Sequence, residues 1–239
     1  MQRDDILAGL FPTPHALIVE NGFIMGAAAL GGKLPVNVIG IADGTYLGVE
    51  GALALAGQVL AAMAAPQKQP ILVLVDSRSQ RMSRHDELMG LNEFLAHLAK
   101  CLLLAQAAGH RTIGLLYGGS AAGAFIATAL ACDTLLALPG AHPEVMDLPS
   151  MARVTKLPVE TLQEMAKTTS VFAPGLENLA TTGAIAATLD PAADLAAQLL
   201  AIIAQDAMPD ARDALGQVRG GRPKAARIAA QVQSLAAEA

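Results

Sequence analysis

Residues 115–130 read LLYGGSAAGAFIATAL, an aliphatic run that ends at Tyr117 and is followed by a stretch of very small residues. A short apolar run without polar alternation is typical of a strand that is buried on both faces. Glycine occupies positions 118, 119 and 123, where such a strand would be followed by a helix. The stretch therefore predicts a strand–turn–helix unit of an α/β fold.

The segments on both sides repeat this alternation. Strands are predicted at 16–19, 23–30, 35–42, 70–76, 112–117, 133–138 and 183–189, and helices at 48–64, 84–108, 121–131, 159–167 and 191–205. The Asn21-Gly22 pair predicts a hairpin, Asp43-Gly44 predicts a turn, and 77–83 reads as a polar loop. In a largely parallel sheet ligands bind at the carboxyl ends of strands, which directs attention to the loops 77–83 and 117–123.

The composition describes an aliphatic protein with an acidic balance. Apolar residues make up 53% of the 239 residues and aromatic residues only 3%, so the core must consist of aliphatic side chains and alanine. The net charge of −5 argues against a general nucleic-acid binder, which usually presents a basic face. Cys101 and Cys132 lie in apolar contexts and are predicted to be buried thiols.

The sequence also predicts the cellular location of the protein and its division into domains. The apolar stretch 51–65 is too short to cross a bilayer, and no apolar signal segment opens the chain, so we expect a soluble cytoplasmic protein without membrane contacts. Residues 1–205 are expected to form one domain. Residues 206–239, which contain a Gly-Gly-Arg-Pro break, are expected to form a helical tail.

The small-residue loop allows two kinds of chemistry. The first turn of a helix carries unpaired N–H groups, and those of Ala122 and Gly123 could form an oxyanion hole, although close strand–helix packing would need the same small residues. Ser120 could instead be a nucleophile, but an esterase elbow has glycine two residues after the serine, and Ala122 stands there. As a nucleophile, Ser120 would need His110 or His142 as its base. The competing prediction is that Ser120 is the N-cap of the following helix, a role that needs only its hydroxyl group.

Several motifs, taken in order, resemble one family. They are GVEGALALA (48–56), the strand ending in Asp76, RHDELMG (84–90), HLAKCL (97–102), the small-residue loop, MDLPSMARVTKLP (146–158) and VFAPGLEN (171–178). Together they are similar to the malonate decarboxylase gamma subunits, in the carboxyltransferase branch of the crotonase superfamily. The resemblance covers about residues 10–190. Clp-type peptidases of this superfamily carry their serine nucleophile at the position of Gly123, so glycine there favours an oxyanion hole.

The resemblance implies a fold and an activity. The fold is a crotonase-like spiral of ββα units with a trailing helical region. Together with a beta subunit, a gamma subunit decarboxylates malonyl-S-acyl-carrier protein to the acetyl form and CO₂, as a lyase, through a thioester enolate. An acyl carrier protein with a phosphopantetheine-type arm and an acyl-carrier transferase subunit complete the complex. No directly bound cofactor and no biotin are expected, and the five scattered histidines show no metal-ligand spacing.

The resemblance also assigns site residues. Ala122 and Gly123 would supply the oxyanion N–H groups. From their positions and side-chain chemistry, rather than from the resemblance, contacts to the substrate or carrier are predicted for Gly119, Ser120, Arg78, Arg81, Arg153, Tyr117, Glu177 and Asn178. Solvated loops, structural turns and core packing are the competing interpretations of these side chains. Two other functions stay open: a non-catalytic structural half of a carboxyltransferase complex, and a Clp-like serine hydrolase that uses Ser120.

Overall fold

A computed structural model describes residues 1–169, 174–205, 210–222 and 224–237. Its strands are β1 Ile18–Glu20, β2 Phe23–Leu30, β3 Leu34–Leu47, β4 Ile71–Gln80, β5 Thr112–Leu116, β6 Gly119–Ala121, β7 Thr134–Ala137, β8 His142–Glu144 and β9 Ala187–Thr188. Its helices are α1 Arg3–Leu10, α2 Val49–Ala64, α3 Arg84–Met89, α4 Leu91–Ala107, α5 Ala122–Ala127, α6 Leu148–Thr155, α7 Val159–Ala166, α8 Leu176–Thr181, α9 Leu195–Ile203, α10 Arg212–Val218 and α11 Ala225–Ala237, with a 3₁₀ turn at Ala129–Ala131.

One sheet of seven strands organises the chain, in the order β1-β2-β3-β4-β5-β7-β9, and β6 pairs with β8 in a separate two-stranded sheet. The first three strands are antiparallel, and every later pair is parallel. Asn21 and Gly22 both have positive φ, 51° and 80°, and join β1 to β2 as the predicted hairpin. The α/β prediction is therefore confirmed.

The central strands are buried on both faces, as their uninterrupted apolar runs predict. In β4, Ile71, Val73 and Val75 pack in a core with α2 and α4, while Leu72 and Leu74 pack in a second core with α1 and α9. The side chains alternate because successive residues of a strand point to opposite faces. Cys101 and Cys132 are free and buried within the first core, as expected.

Between β3 and α4, three elements differ from the sequence prediction. The strand β3 does not turn at Asp43-Gly44 but bulges there and continues, since Thr45 pairs with Ser77 and Leu47 with Gln80. The same pairing extends β4 through residues 77–80, which were predicted to be loop. The single helix predicted at 84–108 is two helices, because Gly90 takes a left-handed conformation with φ 81° between α3 and α4.

The carboxyl-terminal helices contact the preceding segment through Arg219. Its guanidinium group donates to the carbonyl oxygens of Ala180, Ile185 and Ala186. The predicted boundary at residue 205 adjoins residues 206–209, which lie outside the described ranges, so the division into domain and tail stays a prediction. In the described part of the chain, none of the helices combines the length and the apolar character needed to cross a membrane.

Candidate active site

A cleft of about 380 Å³ opens at the carboxyl ends of β4 and β5, where a parallel sheet is expected to bind ligands. Its walls are Gly44, Tyr46, Asp76, Ser77, Arg78, Ser79, Gly119, Ser120, Ala121, His142, Glu144 and Asp147. A larger cavity of about 640 Å³ lies at the opposite ends of β5 and β7, between Arg111 and Arg212. That cavity is bordered by Gln205 and Asp210, which flank undescribed residues, so we place the site in the smaller cleft.

The floor of the cleft is formed by the pairing of β6 with β8. Gly119 lies opposite His142, and Ala121 lies opposite Glu144, so these four residues share one face of the two-stranded sheet. A Cβ atom on Gly119 would lie 2.7 Å from Nε2 of His142. Because glycine has no side chain, this position leaves room for the imidazole ring of His142. The sequence analysis considered His142 only as a base for Ser120, and it did not identify Glu144, because β8 has only three residues.

Ser120 points to the other, buried face of this pair. It is 1% exposed, and its Oγ lies 2.9 Å from Oγ of Ser77. Helix α5 begins at Ala122 with Ala121 as its N-cap, so the prediction that Ser120 caps this helix is wrong. Nδ1 of His110 lies near the carbonyl oxygen of Gln69, and Nδ1 of His142 lies near that of Gly140, so neither ring contacts Ser120 through that nitrogen.

We expect that a fluorophosphonate probe does not label this chain. A serine nucleophile needs a hydroxyl group that is accessible and hydrogen-bonded to a general base, whereas the Ser120 hydroxyl is buried against another serine. Intact-mass measurement after treatment checks this, with a known serine hydrolase as the positive control. A mass increase that peptide mapping assigns to Ser120 would establish the hydrolase alternative.

The two predicted oxyanion residues stand at a bent entrance to α5. Ala122 has φ 51°, a left-handed conformation that costs a non-glycine residue about 1–2 kcal/mol and is common where backbone strain serves a function. The N–H of Gly123 donates to Oε1 of Gln80, at 2.8 Å from its nitrogen. The Gly123 N–H, which is predicted to bind an oxyanion, therefore points toward the end of β4 and is hydrogen-bonded to a side-chain oxygen of the protein itself.

A second amide of the loop is also paired. The N–H of Gly119 donates to Oδ1 of Asp76, with 3.0 Å between nitrogen and oxygen. A Cβ atom on Gly118 would come within 2.1 Å of the same carboxylate oxygen, so only glycine fits beside Asp76. This bond fixes the turn after β5 to the end of β4.

Of the two predicted arginines in the segment 77–83, one is available to a ligand and the other is held by carboxylates of the protein. Arg78 is exposed at the rim of the cleft, with its guanidinium carbon 5.8 Å from the centre of the Tyr46 ring. Arg81 is bound by two carboxylates, because Nε lies 2.5 Å from Oδ2 of Asp86 and Nη2 also contacts Glu50. Asp86 is fully buried and also accepts the N–H of Val49. Arg81 therefore links β4, α2 and α3, a structural contact that the sequence analysis did not identify.

Ala122 and Gly123 follow Ala121, the last residue of the loop that lines the cleft, and are not themselves among its walls. The remaining predicted residues also lie outside the cleft. Tyr117 is 5% exposed, packs in the second core and donates to the carbonyl oxygen of Ile41. Burial raises the pKa of its hydroxyl group. Arg153 lies on α6, where it donates to Oγ of Ser150.

Glu177 and Asn178 stand at the start of α8, against a separate cavity of about 550 Å³. The Asn178 side chain donates to the carbonyl oxygen of Pro174 and so stabilises this turn, while Glu177 is exposed. Residues 171–173 of the VFAPGLEN motif lie outside the described ranges. In the chain as described, these two residues and the cleft form separate sites.

Comparison with known sequences identifies relatives that match most of this chain. A sequence model of the malonate decarboxylase gamma subunit matches residues 42–236. The malonyl-S-ACP:biotin-protein carboxyltransferase MADD of Malonomonas rubra is 31% identical over an alignment of 170 residues, and the match covers 65% of this chain and 58% of that relative. The chain therefore matches less than two thirds of that relative's length.

Solved structures show the same architecture. The crystal structure of a Pseudomonas malonate decarboxylase hetero-tetramer with coenzyme A contains a chain that is 26% identical and superposes with a TM-score of 0.73, covering 98% of this chain and 97% of that one. The Pseudomonas MdcD-MdcE hetero-dimer gives 25% identity and a TM-score of 0.70, over 98% and 97%. Transcarboxylase 12S, 17% identical with a TM-score of 0.68 over 87% of this chain and 41% of its own, shares the fold. These neighbours confirm the predicted crotonase-like fold.

Proposed function

This chain belongs to the malonate decarboxylase gamma subunit family, and from that premise we propose that it is one half of a heteromeric decarboxylase. With a beta subunit it converts malonyl-S-acyl-carrier protein to acetyl-S-acyl-carrier protein and CO₂. The observation that carries this proposal is the family match over residues 42–236, which includes the whole small-residue loop and all the walls of the cleft.

The chemistry needs stabilisation of one negative charge. Departure of CO₂ from a malonyl thioester leaves an enolate, whose charge lies largely on the thioester oxygen. Amides that are aimed at this oxygen stabilise it more strongly than the neutral carbonyl of the substrate, and only such a difference accelerates the step. We assign this role to the N–H groups of Ala122 and Gly123. The substrate oxygen would take the place of Oε1 of Gln80, which now accepts the Gly123 N–H at 2.8 Å.

The proposed partners are a beta subunit, an acyl carrier protein with a phosphopantetheine-type arm, and the transferase subunit that loads it. The Pseudomonas relatives were solved as a hetero-dimer and a hetero-tetramer, which supports an obligate heteromer. MADD is named for malonyl-S-ACP and a biotin protein. We favour the biotin-independent reaction, because the matching family model and the Pseudomonas structures are named as malonate decarboxylases without mention of a biotin protein. Arg78 and Arg153, both exposed, are the proposed contacts for the anionic groups of the carrier arm.

Reconstitution tests this function directly. We expect no turnover by the isolated chain, and release of CO₂ from malonyl-S-acyl-carrier protein when the chain is co-purified with the beta subunit, with or without avidin. Labelled CO₂ release and the mass of the carrier protein measure both products. Turnover of malonyl-CoA by the isolated chain at the rate of the complex would contradict the heteromeric assignment, and inhibition by avidin would show the biotin-dependent reaction.

One observation favours the non-catalytic alternative, in which the chain only shapes the partner's site. The amides of Gly119 and Gly123 are already paired, with Asp76 and Gln80 respectively. An amide whose partner stays in place cannot bind an oxyanion. Gln80 is half-buried and could move away, and replacement of Gly123 or Gln80 distinguishes the two roles.

A further inference from the structure

We infer that Glu144 is the proton donor that converts the enolate into the acetyl product, a proposal that rests on the proposed function. The reaction needs such a group, because the oxyanion amides stabilise the enolate but do not protonate its carbon. The family match does not assign one. The cleft contains three carboxyl groups, those of Asp76, Glu144 and Asp147, and their contacts differ.

Two of the three carboxylates have structural partners. Asp76 accepts the N–H of Gly119, which fixes the turn after β5. Asp147 is the N-cap of α6 and accepts the N–H of Ser150, with 2.6 Å between nitrogen and oxygen. In the described structure, the influences on Glu144 are burial and the charges of Asp147 and His142, with no hydrogen bond among them. Glu144 is therefore the carboxyl group that can exchange a proton without breaking the fold.

The position of Glu144 fits this role. It ends β8 directly opposite Ala121, one residue before the proposed oxyanion amides of Ala122 and Gly123. It is half-buried and stands on the same face of the two-stranded sheet as Gly119, Ala121 and His142. A thioester whose oxygen meets the start of α5 would hold its α-carbon near this face.

The electrostatic surroundings favour the protonated form. Burial and the nearby Asp147 carboxylate raise the pKa of Glu144, and His142 opposes them. The titratable and charged groups that line the cleft are Tyr46 from β3, Asp76 and Arg78 from β4, His142 from β8, and Asp147 before α6. The malonyl carboxylate would bring another negative charge, which favours a neutral acid until CO₂ leaves.

The proposed step balances. The C–C bond to the malonyl carboxylate breaks, its electron pair forms the enolate, and CO₂ departs. The Glu144 carboxyl group then transfers its proton to the α-carbon, so that the thioester carbonyl forms again and Glu144 is left as a carboxylate. Solvent returns the proton to Glu144 before the next turnover.

The test uses Glu144→Gln in the complex with the beta subunit. We expect kcat to fall about 100-fold with KM nearly unchanged, because a general acid contributes mainly to the transition state. The wild-type kcat should decline as the pH rises past the pKa of Glu144, and this limb should vanish in the variant. In D₂O, the wild-type complex should exchange the methyl hydrogens of acetyl-S-acyl-carrier protein, and the variant should not.

Two matched variants separate this role from a structural one. Asp147→Asn keeps an oxygen for the Ser150 N–H but removes a charge that raises the pKa of Glu144, so the alkaline limb of its pH profile should move to lower pH. Glu160→Gln changes an exposed carboxylate on α7 and should match wild type. A wild-type complex that decarboxylates, combined with a Glu144→Gln complex that keeps its rate and exchange, overturns the proton-donor role alone. A wild-type complex that does not decarboxylate overturns the proposed function as well.

Discussion

Replacement of Arg81 by alanine is expected to lower the free energy of unfolding by about 3 kcal/mol, a large effect for a side chain that is 43% exposed. The reason lies in its partner: the Asp86 carboxylate is fully buried, and without the guanidinium group its charge would keep only the Ser83 hydroxyl and the Val49 N–H. Removing one member of such a pair leaves a buried charge that is poorly compensated. The midpoint of thermal unfolding should fall by roughly 6–12 °C, and circular dichroism of the purified chain measures it.

Arg84→Ala is the matched control, because it removes an exposed arginine three residues further along. It should change the midpoint by no more than about 2 °C, as expected for an exposed side chain. Equal stability of the Arg81→Ala and wild-type chains would show that Asp86 does not depend on this ion pair.

The same contact predicts a pH dependence of stability. Arg81, Ser83 and the Val49 amide hold the pKa of Asp86 well below its usual range. A group whose pKa is lowered by folding stabilises the fold above its unfolded pKa of about 3.9, and this contribution is lost as the pH falls through the folded pKa. In Arg81→Ala the folded pKa rises, so acid unfolding should begin at higher pH than in the wild type.

The sequence predicted those parts of the fold that depend on local pattern. Residues 71–75 of β4 and 113–116 of β5 contain no polar side chain because both faces of these strands are buried, and the Asn21-Gly22 turn requires two positive φ angles. Each of these signals is contained within a few neighbouring residues and is therefore visible in the sequence. The burial of apolar side chains then brings the predicted strands together in one sheet.

The errors concern features that depend on distant partners. Residues 77–80 are polar, and they form a strand only because β3 bulges at Asp43-Gly44 and continues alongside them. The short strand β8 exists because it pairs with β6, and this pairing brings Glu144 opposite Ala121. Ser120 was assigned to a cap because a helix follows it, but the intervening strand β6 turns its hydroxyl group toward Ser77. Composition and spacing contain no information on these pairings.

Gly123→Val should reduce kcat of the reconstituted complex by roughly 10²–10³-fold, the usual cost of losing one oxyanion donor. Gly123 lies inside α5, so the substitution requires no unusual φ angle. A Cβ atom there would lie 2.9 Å from Cδ1 of Leu95 and 3.2 Å from Oε1 of Gln80, so valine would fill the space in front of the amide. Single-turnover kinetics with malonyl-S-acyl-carrier protein measure the loss, and the mass of the complex shows whether assembly is intact.

Gln80→Ala is the complementary variant, because it removes the oxygen that now accepts the Gly123 N–H. If the substrate oxygen must displace Gln80, the alanine variant should keep kcat and bind substrate at least as tightly, since no resident acceptor competes. Opposite responses of the two variants would assign the amide to the reaction. Should Gly123→Val turn over at the wild-type rate in an intact complex, the Gly123–Gln80 bond is structural, and the chain contributes shape rather than charge stabilisation to the site.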